Sequence, residues 1–250
     1  MKKFLSLFVC LLLFPLTVSA TGKSATVDRD VLYQPTRIDY LLSGHYDGKV
    51  TYKEVRKHGD FGLGTFDHLD GEMVELDGTL YQVKSDGSIN PVADSAKSPF
   101  AAVTFFDAKK KASTDQPLDL QQLSNFLDGV ILDKETYYAI RIDGTFKYVK
   151  TRSVPAQKKP YPPLSEVAKT QPTFEFHDVK GTLVGFRCPE SANGINLPGY
   201  HFHFITEDRK GGGHLLEVQT DSIAVGIDET PRNSLTAQKK PAKAPKKAVK

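Results

Sequence analysis

Three of the seven histidines lie close together near the end of the sequence, in the stretch GYHFHFITEDRKGGGHLLEV at residues 199–218. The segment YHFHFIT alternates in character, which predicts a β-strand with His201 and His203 on one face and aromatic side chains on the other. EDRKGGG is typical of a connection between strands, and HLLEV predicts a second strand. Such a hairpin sets His214 opposite His203, where Cβ atoms on one face lie about 5 Å apart. The sequence therefore predicts three converging imidazoles.

Three histidine ligands with open positions for water or substrate are the protein ligands of a catalytic zinc site. The alternative is that they are surface histidines on a half-exposed strand. We adopt that alternative for the isolated histidines His45, His58, His68 and His177. We expect His201, His203 and His214 to bind a metal ion. Zinc is favoured by its prevalence alone, since the ligand set does not distinguish it from iron or manganese.

The first twenty residues, MKKFLSLFVCLLLFPLTVSA, have the pattern of a secretory signal. Two lysines precede an apolar run at residues 4–16, and small residues end the segment at Ala20. The apolar run is shorter than the roughly 20 residues of a membrane-spanning helix. We therefore expect cleavage near Ala20 and export to the periplasm or the exterior, with no membrane anchor.

The formal net charge of +3 is dominated by the two ends of the chain. Six lysines lie in the tail QKKPAKAPKKAVK at residues 238–250, and two more lie in the signal segment, so the body between them is acidic. A Lys/Pro/Ala composition predicts a disordered tail. The charge is not a nucleic-acid signature, and we expect no nucleic-acid partner.

Short apolar segments between Gly, Pro, Asn and Asp predict mainly antiparallel β structure. Three stretches predict hairpins, with turns at Asp77-Gly78, Asp143-Gly144 and Lys180-Gly181. PLDLQQLSNFLDGVI at residues 117–131 and YPPLSEVAKTQP at residues 161–172 predict short helices. The segment QKKPYPP resembles a linker. We expect an α+β protein, mainly antiparallel β, with two packed β-sheet subdomains at residues 21–156 and 157–237 and a few short helices.

Three motifs, in order, resemble those of the acetolactate decarboxylase family. They are GDFGLGTFDHLDGEMVELDGTLYQVKSDGS near the front, YYAIRIDGTFKYVKTRSVPAQKKPYPPL in the middle, and GYHFHFITEDRKGGGHLLE near the end. SPFAAVTFF lies between the first two. The resemblance runs from about residue 38 to about residue 225. Because it spans several separate motifs in the same order, it is specific.

The resemblance implies a set of site residues. The three histidines of the last motif bind zinc in that family, and they match His201, His203 and His214. A glutamate of LDGE and an arginine of VKTR line the site, and these match Glu72 and Arg152. The threonine of GTFD, which borders the substrate, matches Thr65, completing the set.

The resemblance also implies the reaction, which converts 2-acetolactate to acetoin and carbon dioxide in an enzyme that commonly forms homodimers. Decarboxylation of a 2-hydroxy-3-oxo acid leaves an electron pair that must delocalise onto the ketone oxygen, giving an enediolate that a metal ion stabilises. Arg152 suits the substrate carboxylate, because a guanidinium is a planar, charged fork. Glu72 is a candidate proton donor. The resemblance does not decide whether Glu72 or Arg152 delivers the proton.

Two alternatives compete with this interpretation. His201, His203 and Glu207 resemble the metal motif of the cupins, although a cupin needs its other histidine on a distant strand, and His214 comes too early. The same residues would also suit a metalloenzyme that acts on another small oxo or hydroxy acid. One departure concerns the end of the chain, where the family usually carries a further glutamate near the site. Here Glu229 is the last acidic residue, and it follows the final hairpin closely.

Overall fold

The computed structural model describes residues 28–237 of the 250-residue chain. The expected signal segment and the lysine tail lie outside the described residues. Within residues 28–237 no helix is long and apolar enough to cross a membrane.

Strands make up most of the regular structure of the described chain. They are β1 (Val31–Leu32), β2 (Val50–Thr51), β3 (Phe61–Thr65), β4 (Glu72–Leu76), β5 (Thr79–Val83), β6 (Ile89–Pro91), β7 (Lys97–Ser98), β8 (Phe100–Thr104), β9 (Lys110–Thr114), β10 (Tyr138–Arg152), β11 (Thr173–Cys188), β12 (Gly199–Thr206), β13 (Gly212–Glu229) and β14 (Arg232–Asn233). The helices are α1 (Ile38–Leu42), α2 (Tyr52–Val55), α3 (Leu120–Val130), α4 (Leu164–Val167) and α5 (Ser234–Ala237), with 3-10 turns at Asp67–Leu69, Ala168–Thr170 and Glu190–Ala192.

Two five-stranded antiparallel sheets form the framework. The first has the order β6-β5-β4-β3-β8, and the second has the order β10-β11-β12-β13-β9, with β10 also paired to β13. The prediction of an α+β fold, mainly antiparallel, with packed sheets and few short helices is confirmed. The second sheet takes strands from both sides of residues 157–163. The division into subdomains at that segment stays a prediction.

The sheets pack against each other through a shared apolar core. Leu63 and Val74 of the first sheet meet Val184, Phe186 and Ile205 of the second in one buried cluster. Because side chains alternate along a strand, each sheet has a second face, and short helices cover these faces. α3 packs on the second sheet, and α2 packs on the first.

The local predictions succeed where the signal is carried by neighbouring residues. Asp77 and Gly78 have φ values of 52° and 74°, as a type I′ hairpin turn requires, and they join β4 to β5. α3 begins with a capping box between Asp119 and Gln122, which satisfies two backbone donors at its start. The helix predicted in residues 161–172 is α4 with the 3-10 turn that follows it.

The predicted turns at Asp143-Gly144 and Lys180-Gly181 are wrong. β10 and β11 run straight through these positions, and Gly144 pairs with Gly181 in the ladder between them. A Cβ atom on Gly144 would lie 2.2 Å from the carbonyl oxygen of Ser222, and one on Gly181 would lie 2.5 Å from the ring of Phe204. The two glycines therefore allow close packing inside long strands, which a sequence pattern does not distinguish from a turn.

Candidate active site

One pocket, formed by both sheets, collects every site residue expected from the sequence. Its polar side is lined by Thr65, Glu72, Arg152, His201, His203 and His214. Thr65 and Glu72 are a cross-strand pair of β3 and β4, and Arg152 ends β10 beside His214 of β13. Residues separated by more than a hundred positions are therefore held on rigid strands around one space.

The histidine hairpin has the predicted register. His203 of β12 pairs directly with His214 of β13, and His201 lies on the same face two residues earlier. The ring centroids are 5.2 Å apart for His201 and His203, 4.9 Å for His201 and His214, and 5.3 Å for His203 and His214. Three imidazoles thus converge at one end of the pocket.

The ring nitrogens are oriented as metal ligands require. Nδ1 of His203 donates a hydrogen bond to the carbonyl oxygen of Met73 at 2.8 Å, which leaves the lone pair of Nε2 directed into the pocket. Nε2 of His201 lies 3.0 Å from Nδ1 of His214. Two nitrogens on one tetrahedral zinc ion are about 3.3 Å apart, given Zn–N bonds of about 2.05 Å. All three ligand atoms lie within 4.8 Å of one another, so the residues present fit a metal ion.

The protonation state of the imidazoles also suits a metal. Burial, reinforced by the charge of Arg152, lowers the pKa of His201 to about 4. The same two causes hold the pKa of His214 well below its ordinary value, and burial does so for His203. Since only the neutral imidazole is a ligand, the cluster is in its ligating form at neutral pH.

Glu72 is the acidic group of the pocket. Its side chain is buried, and Oε2 lies 3.6 Å from Nε2 of His203. Burial raises the pKa of Glu72 to about 7, and the charge of Arg152 opposes that rise. The carboxyl group can therefore hold a proton near neutral pH, as a proton donor must.

Arg152 is held in place by a residue that the sequence did not reveal. Nη1 of Arg152 donates a hydrogen bond of 2.6 Å to Oε1 of Gln171, which follows the 3-10 turn after α4. On the other side, Gly213 has a φ of 130°, and a Cβ atom there would lie 2.4 Å from the carbonyl oxygen of Arg152. The glycine before His214 thus allows β13 to approach β10 closely.

Thr65 is fixed by hydrogen bonds on both its side chain and its backbone. Its hydroxyl donates to the carbonyl oxygen of Gly71 at 2.6 Å. Its own carbonyl oxygen accepts from the hydroxyls of Tyr52 and Ser98, each at 2.9 Å. Because its single proton is already engaged, the Thr65 hydroxyl can only accept a hydrogen bond from a bound molecule.

The other side chains that line the pocket are apolar, and the sequence does not predict them. Leu42 of α1, Leu164 of α4 and Leu197 contribute to it from three separate segments. Only the folded chain brings these segments together, so no local signal predicts them. Glu207 and Glu229 are both exposed and do not line this pocket. The glutamate on which the cupin interpretation depends is thus outside the site.

Comparisons with known proteins agree with the geometry. Residues 32–243 match the profile of the family described as alpha-acetolactate decarboxylase. The alpha-acetolactate decarboxylase of Methanosarcina mazei is 48% identical over 201 residues, covering 80% of this chain and 70% of the relative. That of Methylococcus capsulatus is 46% identical, covering 80% of this chain and 76% of the relative.

A solved structure matches as well. The crystal structure of alpha-acetolactate decarboxylase from Bacillus subtilis strain 168 has a TM-score of 0.79 and 42% sequence identity to this chain, covering 81% of this chain and 86% of that one. The chain belongs to the alpha-acetolactate decarboxylase family.

Proposed function

We propose that this protein decarboxylates 2-acetolactate to acetoin and carbon dioxide with a zinc ion held by His201, His203 and His214. Family membership gives the reaction and makes the protein a carboxy-lyase of acetoin biosynthesis. The observation that supports the metal-dependent part is the convergence of three neutral imidazoles beside a carboxyl group and a guanidinium in one pocket.

The three imidazoles supply a complete set of protein ligands for a catalytic zinc ion. His201 and His203 each offer Nε2, and His214 offers Nδ1. When bound, zinc supplies a Lewis acid that stabilises negative charge on the oxygens of the substrate. The hydrogen bond from His203 to the carbonyl oxygen of Met73 fixes the tautomer that leaves Nε2 free.

Arg152 binds the carboxylate that departs as carbon dioxide. A guanidinium is charged throughout the physiological pH range and presents several N–H groups in one plane. One of these is used by Gln171, and the others remain available to the two carboxylate oxygens. Arg152 thereby orients the bond that breaks, and it discriminates against molecules without the carboxylate.

Glu72 delivers the proton that replaces the carboxylate. When carbon dioxide leaves, its bonding electron pair stays with the rest of the substrate, and the carbon that carried the carboxylate takes up a proton to give acetoin. Burial raises the pKa of Glu72 to about 7 in the metal-free pocket, whereas a guanidinium releases a proton far less readily. A donor fixed on one strand protonates one face of that carbon, which favours a single enantiomer of acetoin.

Thr65 accepts a hydrogen bond from the substrate hydroxyl.

A matched pair of histidine variants tests this function. We expect His203→Ala to lose zinc and to abolish acetoin release from racemic 2-acetolactate, because the ligand on the central strand is removed. His177→Ala is the control, since His177 is exposed on β11 and outside the pocket. It should retain both zinc and activity. Normal acetoin release by a zinc-free His203→Ala protein would contradict the proposal.

We also propose that the protein is exported and forms a homodimer. The pattern of the first twenty residues supports export, and the family resemblance supports the dimer. Amino-terminal sequencing of the protein recovered outside the cytoplasm should begin near Thr21. Light scattering should give twice the mass of the mature chain. An uncleaved cytoplasmic product or a monomer at micromolar concentration would contradict the respective proposal.

A further inference from the structure

The lining of the pocket has a polar and an apolar part. The polar part consists of the three histidines, Glu72, Arg152 and Thr65, and the other side chains of the lining are apolar. Leu69, Phe100 and Val154 are the buried members of the apolar part and are at most 2% exposed, and Phe100 pairs across the strands with Thr65. Leu42, Leu164 and Leu197 are its more accessible members, since Leu42 is 41% exposed and the other two are partly buried. We refer to these three as the leucine rim.

The leucine rim is held together by contacts between its three segments. The backbone N–H of Ile38, at the start of α1, donates to the carbonyl oxygen of Ile195 at 2.9 Å, which ties α1 to the segment that carries Leu197. The hydroxyl of Tyr46 donates to the carbonyl oxygen of Pro162 at 2.9 Å, which ties the chain after α1 to the segment that carries Leu164. The rim is therefore a fixed part of the pocket wall.

The shape of the substrate determines which group meets the rim. The carbon of 2-acetolactate that loses carbon dioxide is tetrahedral and carries a hydroxyl, an acetyl group, a carboxylate and a methyl group. The first two present oxygen atoms to the metal site of the three histidines, and the third binds Arg152. The fourth substituent is then left to the apolar part of the lining, of which the leucine rim is the accessible portion. Reversing this orientation would bury the carboxylate against leucines that offer it no hydrogen bond, which is strongly unfavourable for a charged group.

We propose that Leu42, Leu164 and Leu197 set the size of the alkyl substituent that the enzyme accepts at this carbon. A methyl group fits beneath the rim, and each added methylene brings the substituent into contact with the leucine side chains. This inference rests on the proposed decarboxylation of 2-acetolactate. It assigns substrate selectivity to residues on α1, on α4 and before β12 that lie outside the histidine hairpin.

The test compares homologous substrates with methyl, ethyl and propyl groups at the reacting carbon. Leu42→Ala, Leu164→Ala and Leu197→Ala should each raise the propyl-to-methyl ratio of kcat/KM by about tenfold, since one methylene in an apolar pocket changes that ratio by about 10-fold or more. Leu42→Phe should lower the ratio. Leu132→Ala is the control, because Leu132 is 82% exposed and outside the pocket, and it should leave the ratio unchanged.

The outcomes separate this inference from the function on which it rests. Wild-type protein that releases no acetoin from the methyl substrate would overturn the proposed function. An active wild-type protein whose ratio is the same in all three alanine variants would overturn the role of the rim alone. A wild-type enzyme that turns over methyl and propyl substrates equally well would do the same.

Discussion

Glu72 and Glu75 lie three residues apart in β4, and their surroundings differ although both are buried. Burial raises the pKa of Glu72 to about 7 and that of Glu75 to about 8. Because the separation is an odd number of residues, the two side chains lie on opposite faces of the first sheet. Glu72 lines the pocket beside His203. Glu75 is fully buried on the face that α2 covers, and neither of its carboxylate oxygens has a hydrogen-bond partner among residues 28–237.

Burial and a raised pKa do not by themselves identify a functional carboxyl group. Both glutamates have these properties, and only Glu72 lines the pocket with the three imidazoles that can hold a metal ion. Glu72 shares its pocket with three imidazoles and a guanidinium. On the face that carries Glu75, the neighbours include apolar side chains such as Leu80 and Val103, and the charges of Arg56 and Asp60 act on Glu75 in opposite directions. The neighbours of a titratable group, and not its titration, define the site.

The largest difference between the two glutamates should appear in catalysis. Replacing Glu72 by Gln removes the proposed proton donor while keeping the shape of the side chain, so we expect kcat to fall by about 10² to 10⁴ with zinc retained. Glu75→Gln should change kcat by less than about twofold, because Glu75 faces away from the pocket. Steady-state kinetics on zinc-loaded proteins measure both. Equal losses of kcat in Glu72→Gln and Glu75→Gln would contradict the functional distinction between the two glutamates.

A second difference should appear in stability as a function of pH. The raised pKa of Glu75 means that the folded protein binds a proton that the unfolded chain releases above about pH 4.5. The contribution of Glu75 is therefore fully present below that pH, is lost as the pH rises to about 8, and changes by about 1.4 kcal/mol per pH unit in between. We expect Glu75→Gln to lack this slope.

Urea unfolding between pH 5 and pH 9 measures the free energies of unfolding. The free energy of unfolding of Glu75→Gln should increase relative to that of wild type as the pH rises. Glu217→Gln is the control, since Glu217 is exposed on β13. If the difference in free energy of unfolding between the two proteins stays constant from pH 5 to pH 9, Glu75 is ionised in the folded protein.

A smaller effect on KM should come from Gln171, which holds Arg152 in place in the pocket. Gln171→Glu places a negative charge against Arg152 and competes with the substrate carboxylate, so we expect KM to rise about tenfold with kcat little changed. Gln171→Ala only loosens Arg152 and should raise KM about threefold, as expected for the loss of one hydrogen bond. Gln121→Glu, on the exposed face of α3, should leave KM unchanged. A larger rise in KM in Gln171→Ala than in Gln171→Glu would contradict the electrostatic explanation.

The sequence predicted best the features that depend on neighbouring residues. The alternation around His201 and His203, with a short connection to His214, was enough to predict the hairpin register. Glu72 and Arg152 came from the family resemblance, because nothing local distinguishes Glu72 from Glu75.

The sequence does not predict features that depend on long-range packing. The pattern around Gly144 and Gly181 predicts turns, although these glycines lie where long strands pack closely. Gln171 and the leucine rim come from segments whose meeting depends on the complete fold. A hydrogen bond or an apolar contact between distant segments leaves no periodic signal in the sequence.

The most direct test of a metal-dependent decarboxylase is to measure zinc content and acetoin release on the same sample of mature protein, first as purified, then after chelation, and then after the return of zinc. We expect about one zinc ion per chain, held by the three histidines, with activity that is lost on chelation and restored by zinc. Undiminished acetoin release from metal-free protein would contradict the role assigned to His201, His203 and His214.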